Sequence, residues 1–363
     1  MQSKVNYNLV IDGRWLNLMN RGISTFLINL IEVHNDKLFN GNLIFINKTS
    51  VDIVKKYNIK YKIISKYLII SDLQIFLYLM VYNVKTFLSP GNILPIFPLF
   101  CKNKTLILHD VSFNYNKNKI GKRTFKQFLG ACLKKILVPI SLWRSTRIIT
   151  VSNFAKNEIL KYYKSLRNKE INVIYHGFKL NDKNLPKKEK YTFLAILGES
   201  EQKNIRNFLK GCENAVFNRN FNVCLVGVTE DYLLKNDIGF NFDWLTVTGK
   251  IENKLVASKI MLSSCLVMPS YYESFGMPVI EALIHKKPVI CSNTGALPEI
   301  TKNMFLYFNP NDVIDISEKL KIFIDNKAQL IEYTKKWHFN YSNLFSFNTF
   351  RENYRNILNS YQN

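Results

Sequence analysis

Residues 261–300 limit what this chain can fold into more than any other stretch. An apolar run, Cys265 to Met268, stops at Pro269, and a loop carrying Glu273 and Gly276 follows. Pro278 then opens a short helical pattern containing Glu281, and the β-branched pair Val289 and Ile290 starts a second apolar run. This is a βαβ-like unit, the piece from which parallel sheets are built. Proline suits the first helical position, and His285, Lys286 and Lys287 suit the negative end of the helix dipole. The amides at the helix start, Met277 to Ile280, form a candidate phosphate site. Glu273 and Glu281 can face one ligand from two sides. By spacing alone they fit a loop glutamate and a helix glutamate in water at least as well.

The wider string changes that balance. YYESFGMPVIEAL resembles the E-x7-E signature of retaining glycosyltransferase family 4, and the strand and loop SNTGALPEI follow in the family's order. The resemblance implies an α/β chain of GT-B architecture: two Rossmann-like domains facing a cleft, with a C-terminal helix crossing back to the first. Residues 1–178 would be the acceptor-binding domain and 191–345 the nucleotide-sugar domain, with 346–363 the crossover helix. The segment 179–190, polar, lysine-rich and broken by Pro186, reads as the linker.

At 363 residues the chain can bury two cores, and 47% hydrophobic content excludes a disordered polymer. No run reaches the ~18 apolar residues of a membrane span. The nearest, residues 67–82, is broken by Ser71, Asp72 and Gln74. The N-terminus lacks a signal-peptide layout, so a cytoplasmic protein is expected. The six cysteines include no C-x-x-C pair, and neither a metal nor a cofactor is expected.

The net charge of +23 is uneven. Residues 1–186 hold 29 Lys+Arg against 9 Asp+Glu, and the remainder 21 against 18. Lys117, Lys119, Lys122, Arg123, Lys126, Lys134 and Lys135 fall among aromatic and aliphatic residues, with no acidic residue between Asp110 and Glu158. Such a mixture suits an anionic bilayer or a nucleic acid, and equally an ordinary helix with solvated lysines.

Further site residues come from particular blocks. The strand YNLVI leads to Asp12-Gly13-Arg14 and the turn Arg21-Gly22-Ile23-Ser24. In the family a D-x-R and a G-I-G turn face the donor phosphates. Ser24 replaces the second glycine here, so only Gly22 carries over. His109 ends the buried run TLILHD; alone it reads as a structural hydrogen-bonder, and by resemblance it contacts the donor sugar and leaving group. Lys203 alone reads as solvated, but it aligns with the family lysine on the leaving diphosphate. Gly198 belongs to the same loop, Glu199 stands where the family often has arginine, and Arg206 is the remaining cation there. Ile251 lies in the turn placed against the nucleotide base, and His176 stands where asparagine is usual.

The resemblance thus implies a retaining hexosyltransferase that uses a GDP-, UDP- or dTDP-sugar. Glu281 would hold the ribose, Glu273 a sugar hydroxyl, and the amides of Ser274, Phe275, Gly276 and Met277 the sugar and phosphates. With no D-x-D in the sequence, leaving-group charge would be met by Lys203 and backbone amides without a metal. His109, Glu273 and Lys203 are the expected catalytic residues. The basic first half fits a lipid-linked glycan acceptor of bacterial surface polysaccharide (O-antigen, capsule, lipopolysaccharide), with the enzyme peripheral at the inner face of the membrane. The rival readings are a GT-B nucleotide-sugar epimerase, a basic nucleic-acid-binding protein, and a non-catalytic scaffold.

Overall fold

Apolar runs separated by lysine-rich connections form the strands of two parallel sheets. The structure, a computed structural model, describes residues 6–16, 21–34, 42–57, 59–115, 124–179, 190–216, 221–252 and 255–359. The first-half strands are β1 (Asn6–Asp12), β2 (Asn42–Ile46), β3 (Lys60–Ile63), β4 (Asn83–Ser89), β5 (Cys101–Ile107), β6 (Arg147–Thr150) and β7 (Ile171–Val173). Their helices are α1 (Arg21–His34), α2 (Val51–Val54), α3 (Leu68–Val81), α4 (Phe125–Arg144) and α5 (Asn153–Tyr162). The second half contributes strands β8 (Tyr191–Ile196), β9 (Val223–Val226), β10 (Leu245–Val247), β11 (Ser263–Met268), β12 (Val289–Ser292) and β13 (Leu306–Phe308). Its helices are α6 (Ile205–Val216), α7 (Glu230–Lys235), α8 (Val256–Met261), α9 (Met277–Ile284), α10 (Leu297–Thr301), α11 (Val313–Asp325) and α12 (Lys327–Tyr341), and α13 (Phe347–Asn359) follows.

One unit comprises Met1–Asn114, Lys126–Gly177 and Phe347–Asn363; the other comprises Tyr115–Phe125 and Phe178–Ser346. In the first, the sheet order is β3-β2-β1-β4-β5-β6-β7, with parallel neighbours throughout. Strand order reverses between β1 and β4. Right-handed crossovers then put α1 and α2 on one face and α3, α4 and α5 on the other. The core agrees, since Ile75 and Leu79 of α3, Val138 and Leu142 of α4 and Ile159 of α5 share one apolar cluster with β-strand residues. Ser152 caps α5, its hydroxyl accepting from Ala155 N–H at 3.0 Å.

Helix α13 returns to this first unit. Phe350 meets Phe26 of α1 edge to face at 5.4 Å, and Arg147 donates to the Ile357 carbonyl near the helix end. Gly177 leaves room for this packing, because a Cβ there would lie 2.6 Å from Phe350 Cβ. The second unit repeats the design as β10-β9-β8-β11-β12-β13, all parallel, with the reversal between β8 and β11. Almost all of the 179–190 linker falls outside the described residues.

Candidate functional site

In a doubly wound sheet, ligands bind beyond the carboxyl ends of the strands where the strand order reverses. In the second unit those ends belong to β8 and β11. The loop leaving β8 carries Gly198 to Asn204, and the loop leaving β11 carries Pro269 to Gly276. Gln202 joins the two: its carbonyl accepts from Tyr271 N–H at 2.9 Å and its Nε2 donates to the Tyr272 carbonyl at 2.8 Å. Asn204, left-handed at φ 54°, donates from Nδ2 to the carbonyls of Pro269 (3.0 Å) and Pro310 (2.7 Å). With both loops fixed, Lys203 Nζ lies 2.7 Å from Glu273 Oε1. The two side chains are 26% and 12% exposed, so the pair is open to a ligand rather than sealed in the core.

The backbone of Glu273 is held from the other side by the loop after β12. Ala296 N–H donates to the Glu273 carbonyl at 2.9 Å. Gly295 adopts φ +67°, and a Cβ there would come within 2.4 Å of the same carbonyl oxygen. Only glycine combines that conformation with that approach. Gly295, Gln202 and Asn204 are positioning residues that the sequence did not single out. Each is an ordinary loop residue until its partner, 22 to 106 positions away, is known.

The helix start is narrower than the sequence suggests. Helix α9 begins at Met277, with Gly276 left-handed at φ 92° before it. Val279 and Ile280 N–H groups turn back to the Gly276 carbonyl at 3.0 and 3.4 Å, and Pro278 has no N–H. The amides at Val279 and Ile280 are therefore spent within the helix, which removes them from the candidate phosphate ligands. Phe275 offers only backbone here, since its ring is buried against Phe178 and Phe345 at 6.5 and 6.1 Å. Glu281 is the fifth helical residue, beyond the first turn, and is half-buried.

Around this centre the remaining charges find partners. Glu199 accepts from the Thr229 hydroxyl at 2.6 Å and lies 3.4 Å from Lys250 Nζ. The Thr229 hydrogen bond, foremost, holds its carboxyl below the usual range. Lys250, next to Ile251, is thus the cation that Glu199 draws to this edge. Arg206 is not the substitute cation that its sequence position suggests. Its guanidinium donates to the carbonyls of Asn236 and, at 2.7 Å, Asp237, just past the end of α7, where the helix dipole favours a cation. Gly198 has open space where a Cβ would stand and no positive φ, so neither packing nor conformation requires glycine there.

In the first unit the reversal lies between β1 and β4. Asp12 and Arg14, leaving β1, form a buried network. Arg14 donates from Nε to Asp12 Oδ1 at 2.8 Å, from Nη2 to Asp12 Oδ2 at 2.7 Å, and from Nη1 to Ser71 Oγ at 2.8 Å and to Asp72. Burial opposes its charge, but Asp12 above all, and Asp72, more than offset that and raise its pKa. Four donor contacts on one guanidinium leave Arg14 a structural residue. Gly22 is exposed at the second position of α1.

His109 follows β5 and is buried. Its N–H donates to Asn92 Oδ1 at 2.7 Å, and its Nε2 lies 2.9 Å from the Pro90 carbonyl. A carbonyl only accepts, so the ring proton sits on Nε2, and Nδ1 is left as the acceptor. Phe26 stands edge-on to both His109 (5.1 Å) and His176 (5.0 Å), and the two imidazoles stack at 6.0 Å. Burial lowers His109 to about 4, and burial, then His109, hold His176 well below the usual imidazole value.

Both rings are therefore neutral at pH 7. Between pH 6.5 and 4 the unfolded chain binds more protons than the folded one, so this contribution to stability is full above about 6.5 and lost as pH falls toward 4. At about 1.4 kcal/mol per unit, His109 alone contributes on the order of 3 kcal/mol over that window. Urea midpoints measured down this pH range should fall, and less steeply for His109→Gln; an equal slope would reject the assignment.

Lys117, Lys119, Lys122 and Arg123 lie outside the described residues, and Lys126 is described only as part of α4. Further along that helix, Lys134 is half-buried and Lys135 exposed.

Residues 156–337 match the family model described as Glycosyl transferases group 1. O-antigen chain mannosyltransferase RfbU of Salmonella typhimurium is 28% identical over 221 residues, which cover 58% of this chain and 58% of that one. O-antigen chain mannosyltransferase B of Escherichia coli is 27% identical over 197 residues, covering 49% and 51%. The chain spans little more than half the length of these relatives. Among solved structures, Anabaena HepE in complex with UDP and glucose superposes with a TM-score of 0.70 at 12% identity, covering 99% of this chain and all of that one. Sucrose-phosphate synthase of Thermosynechococcus elongatus gives 0.68 at 16%, covering 98% and 100%. At such identities the likeness concerns the fold, which is the GT-B fold expected from the sequence.

Proposed function

The chain belongs to the Glycosyl transferases group 1 family, and from that premise we propose that it is a retaining, metal-independent hexosyltransferase of family 4. It moves a sugar from a nucleotide donor to a lipid-linked glycan acceptor in the assembly of a surface polysaccharide. The observation that carries this reading is the Lys203–Glu273 pair, 2.7 Å apart at the strand-order reversal of the second sheet, beside the amides of residues 274–277. A cation and amide donors suit a diphosphate, and a carboxylate suits a sugar hydroxyl. Lys203 carries three N–H donors, so it can meet a phosphate oxygen without leaving Glu273.

In this reading Glu281 holds the ribose and Ile251 lies against the base; on the first unit, Gly22 and His109 are the proposed donor-facing residues, His109 as a neutral ring. The bond from the anomeric carbon to the phosphate oxygen breaks while the acceptor oxygen attacks the same face. The acceptor's proton passes to the departing diphosphate, so no protein base is assigned. Because the named relatives are O-antigen mannosyltransferases, mannosyl donors come first in the screen.

The test is incubation of the purified protein with GDP-, UDP- and dTDP-hexoses, with and without a lipid-linked glycan. Product anomers are assigned by NMR, and EDTA is added in a parallel series. Transfer with retained configuration and no loss in EDTA is expected. Isomerised donor without acceptor would make it an epimerase instead. Gly198 supplies a check that separates binding from folding. Gly198→Leu should leave the melting temperature unchanged, because open space surrounds the position, and weaken donor binding by about tenfold or more through crowding of the pocket. Unchanged donor affinity would remove Gly198 from the site.

A further inference from the structure

Helix α3 is apolar on two opposite faces. Ile75 and Leu79 are buried against the first sheet, whereas Ile69, Ile70, Leu73, Leu77, Met80 and Val81 are exposed, between 41% and 66%. At about 100° per residue those six fall within a single stripe of roughly 120°. The one charged residue of α3, Asp72, is buried on Arg14, so the exposed stripe carries no charge. A helix of a water-exposed domain ordinarily carries polar residues there.

Helix α4, on the same face of the sheet, shows the same feature. Phe128, Leu129, Leu133, Ile136, Ile140 and Trp143 are exposed along one side, Trp143 by 80%. The segment after β4 joins the two stripes. Ile96 N–H donates to Asp72 of α3 at 2.8 Å, and Phe76 of α3 packs near Phe97 and Phe100. From the other side, Arg144 of α4 donates to the carbonyls of Pro95, Ile96 and Phe97 at 2.6–3.0 Å. Ile96 and Phe100 are themselves exposed. The apolar area adds up to on the order of 1,000 Å², well above the largest patch of a typical monomer.

We propose that this α3–α4 face, joined by residues 94–100, lies in the surface layer of an anionic bilayer, with apolar side chains inserted and lysines at the rim. Among the described residues Lys66 and Lys102 border it, and Lys135 flanks the stripe of α4. A second copy of the chain would bring the same cationic rim against itself, whereas anionic headgroups neutralise it. The helices lie along the surface and do not cross it, since no helix among the described residues is long and apolar enough. The purpose of this contact rests on the acceptor reading above, but its existence does not. The inserted apolar face, rather than the lysines of residues 117–135, supplies the hold.

Trp143 provides the probe. The full chain is mixed with vesicles of phosphatidylethanolamine and phosphatidylglycerol, without donor or acceptor. The expected result is a blue shift of emission, quenched by lipids brominated on the acyl chains and absent in Trp143→Phe. It should persist at ~0.5 M salt, where screening has shortened to about 4 Å and a purely electrostatic hold is lost. Leu73→Glu combined with Leu77→Glu, both exposed, should reduce vesicle binding at least tenfold without shifting the melting temperature. Full reversal by salt, no quenching from the chains, or unchanged binding by the double variant would overturn the proposal. So would a wild-type dimer in sedimentation that the double variant breaks, because the face would then join two copies. Sugar transfer without vesicle binding would sink this inference alone, and vesicle binding without transfer would sink only the function proposed above.

Discussion

Lys203→Met is expected to lower kcat by about 100-fold or more while weakening donor binding far less. Negative charge grows on the leaving diphosphate as the glycosidic bond breaks, so a cation at that oxygen gains most in the transition state. The variant also strips Glu273 of its partner at 2.7 Å and leaves a carboxylate facing the incoming phosphates. That repulsion acts on the ground state. Adding Glu273→Gln removes it, so the double variant should regain donor affinity, read by calorimetry, without regaining kcat. If Lys203 served only to position Glu273, the double variant would behave as Glu273→Gln alone. A kcat within threefold of wild type for Lys203→Met would remove the lysine from the chemistry, whatever happened to binding.

The sequence displays the scaffold of this site better than its chemistry. Apolar runs such as Cys265 to Met268 announce buried parallel strands, and Gly276-Met277-Pro278 announces a helix start because both residue types have local reasons to be there. Side-chain direction has no such local signature. Arg206 stands three residues after Lys203, yet carbonyls at the end of α7 claim it. Lys203 and Glu273, seventy residues apart, meet because Gln202 and Asn204 tie two loops together and the loop at Gly295 and Ala296 holds Glu273 from the other side. The helix at 68–81 shows a related gap. Its apolar content marks a helix, but a stripe facing the sheet and a stripe facing solvent read alike in one dimension. Only the buried Ile75 and the exposed Leu77 tell them apart.

Asp12→Ala is expected to destabilise the first unit by about 3–5 kcal/mol, because it leaves Arg14 charged and buried with half its partners gone. The guanidinium, 6% exposed, would keep only Ser71 and Asp72. Removing the whole network at similar volume, as Asp12→Leu, Arg14→Met and Asp72→Leu, should cost less than the single change. Apolar replacements leave no unpaired charge, although Ile96 N–H would lose Asp72 as its acceptor. Urea unfolding followed by two probes would separate the units, and the loss should appear in the transition of the first alone. The consequence extends beyond stability. Asp72 lies in α3 and accepts from Ile96, and Ile96 is bonded to Arg144 of α4. One buried arginine thus fixes the strand end after β1 to both helices of the apolar face. If Asp12→Ala loosened the first unit without changing vesicle binding, that mechanical link would be absent, and the face would hold its shape through the apolar cluster of Ile75, Leu79, Val138 and Leu142 instead.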